Sequence, residues 1–196
     1  MNQPKTDIRR RLGNPIGLFF ARALAKTGVT PNALTVIGFL ITVAAGVVIG
    51  YGHFIWGAII IAFAGLFDLL DGALARYTGK VTVFGAILDS TLDRLSDAAL
   101  FIGLIAYWAL RGETWPVVIT SVTVVGALTV SYARARAEAA GLSGKEGIFT
   151  RPERIVILVL GLLFNVPLAA VVVIGVLSYV TVLQRLVSSY RQTSGK

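Results

Sequence analysis

Five of the ten acidic residues, Asp68, Asp71, Asp89, Asp93 and Asp97, fall close together in an otherwise apolar stretch. An ionised carboxylate at membrane depth is costly unless it is paired, hydrated or bound to a cation. Asp68 and Asp71 are three residues apart, about 60° around a helix, and Asp89 and Asp93 are four apart, about 40°. Each run, if helical, therefore presents two carboxylates on one face. Two helices joined by a short connection pack antiparallel, which brings the pairs together. Four converging carboxylates repel unless a cation neutralises them. Hard oxygen donors, with no cysteine and no nearby histidine, favour Mg²⁺ or Mn²⁺ over zinc, and two ions can be shared among four carboxylates. Pairing with Arg94 or Arg76, or helix-end capping, explains one isolated aspartate better than four at these spacings.

Gly72 follows Asp71 directly and lies one turn before Arg76, while Gly85 lies one turn before Asp89. Singly, such glycines in membrane helices serve packing. Beside the carboxylates they also let a ligand approach the backbone. Metal next to basic residues at a membrane surface points to a phosphate-bearing substrate, because cation clamps on phosphate oxygens are recurrent parts of phosphoryl transfer.

The elements that position these residues belong in lipid. Apolar residues make up 56% of the 196 and charged ones only 14%, against about a quarter in soluble domains. With a mean hydropathy of +0.79, this excludes an ordinary soluble globule, a disordered chain and a collagen-like one. The absence of cysteine excludes a disulfide framework and thiol catalysis. A net charge of +8 on so apolar a chain suits an anionic lipid surface better than nucleic acid.

Six apolar segments, near residues 33–52, 54–75, 84–110, 115–137, 153–165 and 167–187, are expected as transmembrane helices, the last two forming a tight hairpin around Asn165, Val166 and Pro167. The expected fold is an all-α integral membrane protein. It forms a single domain over 1–196, with an interfacial arm at 1–32, a six-helix bundle at 33–187 and a tail at 188–196. Residues 15–26 space Ile16, Phe19, Phe20, Ala23 and Leu24 as a short amphipathic juxtamembrane helix. The arm has no cleavable signal pattern. Lysines and arginines collect on one side: Lys5, Arg9, Arg10, Arg11, Arg22 and Lys26 in the arm, Arg76 and Lys80 after the second span, Arg134, Arg136, Lys145, Arg151 and Arg154 after the fourth, and Arg185, Arg191 and Lys196 at the end. Arg111 alone lies opposite, and Arg94 lies within the third span. Both termini and the acidic cluster are therefore expected at the cytoplasmic face of the cell membrane. Trp56, Trp108 and Trp115, near span ends, read as an aromatic belt, and His53 as an interfacial residue.

The run Asp68-Leu69-Leu70-Asp71-Gly72-Ala73-Leu74-Ala75-Arg76, followed by Gly85-Ala86-Ile87-Leu88-Asp89-Ser90-Thr91-Leu92-Asp93, resembles the full signature of the CDP-alcohol phosphotransferases at all eight of its positions. The six-span plan and the segment Pro31-Asn32-Ala33-Leu34-Thr35 look like the same family. The stretches Ser131 to Glu138 and Gly147 to Arg154 further resemble its actinobacterial phosphatidylinositol phosphate synthases.

The resemblance implies an enzyme that moves a diacylglycerol phosphate group from CDP-diacylglycerol to inositol 1-phosphate and releases CMP. Asp68, Asp71, Asp89 and Asp93 are then expected to hold the metal, two Mg²⁺ ions with Mn²⁺ as a substitute, and Asp93 to serve also as base. Asn32, Thr35, Gly72 and Arg76 are expected to bind CDP-diacylglycerol. Arg134, Arg136, Arg151 and Arg154, with Lys145 nearby, are candidates for the acceptor phosphate, although positive-inside topology alone also accounts for them. Asp97 is assigned to a supporting role or to pairing with Arg94. The resemblance also implies a homodimer. Two rival functions are phosphatidylglycerophosphate synthesis, with glycerol 3-phosphate as acceptor, and cation or proton transport. Transport fits less well, because carriers place such groups at mid-depth.

Overall fold

A computed structural model describes residues 15–144 and 147–194, which contain helices and no strand. Lys5, Arg9, Arg10, Arg11, Lys145 and Lys196 of the charge count lie outside the described residues. The helices are α1 (Pro15–Ala25), α2 (Pro31–Gly50), α3 (Phe54–Thr78), α4 (Val83–Ala109), α5 (Thr114–Ala139), α6 (Arg151–Leu163) and α7 (Pro167–Ser194). Every expected apolar segment is helical, and so is the segment expected as the juxtamembrane helix.

Among the described residues, four helices, α2, α3, α5 and α7, are long and apolar enough to cross a membrane. The other two expected spans depart from that standard for separate reasons. α4 has 27 residues, about 40 Å, but Asp89, Asp93, Arg94 and Asp97 interrupt its apolar run. α6 has 13 residues, about 20 Å against a hydrocarbon core of about 30 Å.

Local chemistry sets the helix ends. Thr30 caps α2 through its hydroxyl, 3.2 Å from the Ala33 N–H, with Pro31 in the first turn. The Thr82 hydroxyl accepts from the Gly85 N–H at 2.9 Å and starts α4. Thr150 and Glu153 form a reciprocal capping box at α6. α3 stops where Gly79 turns left-handed at φ 67° and the Lys80 N–H reaches back to the Ala75 carbonyl at 3.0 Å. The expected α6–α7 hairpin forms the same way. Asn165 sits at φ 58°, and the Val166 N–H donates to the Gly161 carbonyl at 2.8 Å.

The chain divides into two compact units. The first holds Met1–Ala44 and Ile60–Asp97. There Gly38 lets α2 meet α3: a Cβ on it would lie 3.1 Å from Phe67 Cβ and 3.3 Å from Asp68 Oδ1. Leu34, Ala64 and Leu74 are buried nearby in sequence on the same two helices.

The second unit holds Ala45–Ile59 and Ala98–Lys196. Its α2 and α4 segments touch backbone to backbone, since a Cβ on Gly103 would sit 2.1 Å from the Gly46 carbonyl oxygen. Leu100, Leu104, Leu158, Leu162, Val171 and Ile174 are fully or almost fully buried there. α5 and α7 are joined by the Tyr179 hydroxyl donating to the Val122 carbonyl at 3.0 Å and the Thr123 hydroxyl donating to the Val171 carbonyl at 3.3 Å. Lipid supplies no hydrophobic force between helices, so small residues and interhelical hydrogen bonds of this kind hold a bundle together. Leu40, Phe63, Leu69, Ile102, Val125, Val176 and Leu183 are exposed apolar residues, as lipid contact requires.

One aromatic expectation is corrected. Trp56 and Trp115 are exposed, but Trp108 is buried and packs edge-on to Tyr107. Arg111 lies over that Tyr107 ring at 3.7 Å. The polar tip at this span end belongs to Arg111, and Trp108 fills the interior.

Candidate active site

In the first unit, α2, α3 and the start of α4 enclose a cavity of about 410 Å³. Pro31, Asn32 and Thr35 line it from α2; Asp71, Gly72, Ala75 and Arg76 from α3; Lys80, Val81 and Thr82 from the connection; Gly85, Ala86 and Asp89 from α4. Asn32, Thr35, Gly72 and Arg76, the four residues expected to bind CDP-diacylglycerol, thus share one cavity with two of the four expected metal ligands, Asp71 and Asp89.

Asp71 is buried, and its Oδ2 accepts a 2.7 Å hydrogen bond from the Thr35 hydroxyl. That hydroxyl sits one turn into α2, 3.1 Å from the Pro31 carbonyl, so the capped start of α2 aims it at α3. The charges of Asp89 and Asp68 both act on Asp71. Asp68 and Asp93 do not line the cavity: Asp68 lies beside Gly38 of α2, and Asp93 is one turn beyond Asp89 on α4. Among the described residues no three acidic or histidine side chains close into a ready metal cage. The donor chemistry nevertheless fits a hard divalent cation. Around Asp71 the acidic neighbours are all carboxylates, and their mutual repulsion is what a cation would relieve.

Gly72 has a specific use. A Cβ there would lie 3.2 Å from Arg76 Nη1, so the absent side chain leaves room for the guanidinium to fold back along α3 over Gly72. Gly85 serves the facing wall, where a Cβ would meet Thr82 Oγ1 at 3.0 Å and Asn32 Oδ1 at 3.1 Å. The Asn32 amide is thereby held against the first turn of α4. Arg94 turns away from cavity chemistry and donates to the Ser90 carbonyl one turn back. Asp97 is buried.

The four arginines expected to bind the acceptor phosphate belong to the second unit and differ from one another. Arg134 makes a 2.8 Å ion pair with Glu138, four residues on, with both side chains about half exposed. Arg136 is exposed, Arg151 is half-buried at the head of α6, and Arg154 is buried. Three further residues carry only a topology signal in the sequence, or none. Lys80 and Thr82 line the cavity. Arg185 on α7 is buried and donates to the Val130 carbonyl. Thr82 carried a readable signal, a capping residue just before the glycine that precedes the second aspartate pair. The burial of Arg185 had none.

The sequence profile of the CDP-alcohol phosphatidyltransferase family matches residues 28–187. An archaetidylinositol phosphate synthase of Pyrococcus horikoshii is 42% identical over 92% of this chain and 93% of its own. A phosphatidylinositol phosphate synthase of Mycobacteroides abscessus is 40% identical over 90% and 82%. The crystal structure of Mycobacterium tuberculosis phosphatidylinositol phosphate synthase with CDP-DAG bound superposes with a TM-score of 0.84 at 35% identity, covering 90% of this chain and 94% of that one. The same mycobacterial protein in complex with manganese and citrate gives 0.84 at 36%, covering 89% and 88%. With a profile match covering all six expected spans, and six of the eight signature residues (Asp71, Gly72, Ala75, Arg76, Gly85 and Asp89) lining one cavity, this chain is an enzyme of the CDP-alcohol phosphatidyltransferase family.

Proposed function

We propose that the protein transfers a phosphatidyl group from CDP-diacylglycerol to a hydroxyl of inositol 1-phosphate, releasing CMP and forming phosphatidylinositol phosphate. The observation that carries this is the cavity in which Asn32, Thr35, Gly72 and Arg76 meet Asp71 and Asp89. The relatives add the acceptor, since both the archaeal and the mycobacterial proteins are named for inositol phosphate products.

Asp68, Asp71, Asp89 and Asp93 would hold divalent metal, Mg²⁺ with Mn²⁺ as a substitute, which when bound neutralises charge on the pyrophosphate. Thr35 fixes the orientation of Asp71. Arg76, folded over Gly72, offers planar donors to the nucleotide phosphates, and Lys80 adds a second cation at the same wall. The acceptor hydroxyl oxygen forms a bond to the lipid-linked phosphorus as the bond to the CMP oxygen breaks. Asp93 takes the hydroxyl proton. Arg151, Arg154 and the buried Arg185 bind the acceptor phosphate. Arg136 extends the cationic surface, and Arg134 contributes through its pair with Glu138. The six longer apolar helices, α4 and the short α6 included, cross the membrane, with α1 in the headgroup plane and both termini and the cavity at the cytoplasmic face. This placement is supported by the charge asymmetry and by the lipid donor.

The test is CMP release by purified protein supplied with CDP-diacylglycerol and Mg²⁺. Inositol 1-phosphate, inositol, glycerol 3-phosphate and serine are offered in parallel, and CDP-archaeol replaces the donor in a second series because the archaeal relative makes an archaetidyl lipid. Inositol 1-phosphate is expected to support turnover above the others, and Asp93→Asn to abolish it while still binding CDP. Preference for glycerol 3-phosphate would move the protein to phosphatidylglycerophosphate synthesis. Metal flux without CMP release would make it a carrier.

A further inference from the structure

The connection between α5 and α6 is fastened to α7 by two side-chain amides. The Ile148 N–H donates to Gln184 Oε1 at 3.2 Å. The Ser143 N–H donates to Gln192 Oε1 at 2.8 Å, and its carbonyl accepts from Gln192 Nε2 at 3.3 Å, so one glutamine satisfies both polar groups of one backbone residue. Gly147 makes the close approach possible. Its φ of 122° is one that glycine adopts freely, and a Cβ on it would lie 2.7 Å from Thr181 Cγ2 and 3.0 Å from Arg185 Nε. Phe149 is buried, and Thr150 then caps α6, accepting the Arg154 N–H at its carbonyl at 3.3 Å.

Residues 147–150 thus run from the buried guanidinium of Arg185 on α7 to the backbone of the buried Arg154 on α6. The Thr181 and Ser178 hydroxyls, on the same run of α7 as Arg185, are fully buried and have no hydrogen-bond partner among the described residues. Buried polar atoms are ordinarily satisfied, so the unsatisfied Thr181 hydroxyl, one turn from the buried Arg185, suits a polar, anionic ligand.

We propose that Gln184, seconded by Gln192, is a positioning residue for the acceptor phosphate: it seats residues 147–150 on α7 and so sets Arg154 and Arg185 as one anion site. Neither glutamine carries charge, and neither belongs to the CDP-diacylglycerol cavity, so the effect is confined to the acceptor side. The inference rests on the acceptor assignment made above.

Purified wild-type, Gln184→Met and Gln192→Met proteins are assayed with CDP-diacylglycerol while inositol 1-phosphate is varied, and hydrogen exchange is followed in the segment 147–150. Each variant is expected to raise the KM for inositol 1-phosphate about tenfold, since loosening a binding group by an ångström has effects of that order or more. The kcat and the KM for CDP-diacylglycerol stay within about twofold, and exchange at Ile148 quickens in Gln184→Met. An unchanged acceptor KM in Gln184→Met overturns the positioning role, as does rapid exchange at Ile148 in the wild type. If Gln184→Met fails to fold, an unchanged acceptor KM in Gln192→Met has the same force. A wild type that makes no product from inositol 1-phosphate refutes the acceptor assignment, and the positioning role with it. An active wild type with unaltered variants refutes the positioning role alone.

Discussion

At the scale of single residues, the hydrogen bond from Thr35 to Asp71 carries more weight than its length suggests. In the proposed metal site Asp71 would present one carboxylate oxygen to the cation, and its other oxygen, Oδ2, is held by the Thr35 hydroxyl at 2.7 Å. Hydrogen bonds to charged groups contribute about 1.5–3 kcal/mol. Thr35→Val keeps the shape and removes the donor, so it is expected to raise the Mg²⁺ concentration for half-maximal activity about tenfold with little change in fold. A metal titration of CMP release checks this, and an unchanged requirement would separate Thr35 from the metal site. The aspartates were legible because carboxylates in an apolar run have no bland explanation in number. Lys80 and Arg185 were not, because a lysine or arginine outside the acidic cluster looks the same whether it signals topology or lines a site.

At the scale of helices, two glycines predict opposite outcomes from the same substitution. Gly103 meets the Gly46 carbonyl so closely that Gly103→Ala must push two backbones apart, whereas Gly65 has open space where its Cβ would be. Gly103→Ala is expected to lower stability by about 1–3 kcal/mol, the usual cost of overpacking. Gly65→Ala is expected to be neutral or to stabilise by up to about 1 kcal/mol through helix propensity. Thermal unfolding in detergent compares them, and equal shifts would mean that the α2–α4 contact is not a packing constraint. Element positions were readable from hydropathy, while the caps at Thr30, Thr82 and the Thr150–Glu153 box, which set the helix ends, emerged with the structure. Trp108 was misread because proximity to a span end does not say which way a ring points.

At the scale of the whole chain, the charge asymmetry makes a claim about sidedness that the absence of native cysteine renders easy to check. Glu113, in the connection bearing Arg111, and Arg191, near the C-terminal end of α7, are expected on opposite sides of the membrane. Single cysteines at these positions, Glu113→Cys and Arg191→Cys, should differ accordingly. An impermeant maleimide applied to intact cells labels the first, and labels the second only after permeabilisation. The reverse pattern would invert the topology and remove the cytoplasmic placement of the active site.

The sequence by itself determined that this protein is helical and apolar, where its helices lie, and which aspartates and glycines form the family signature. Those properties follow from composition and from periodicities that repeat every few residues. Tertiary structure alone decided that Thr35 bonds to Asp71 thirty-six residues away, that Lys80 and Thr82 line the same cavity as Asp71 and Asp89, and that Gln184 and Gln192 hold the loop before α6. Each of these depends on one side chain's direction across a gap between elements, and spacing along the chain carries no information about that direction.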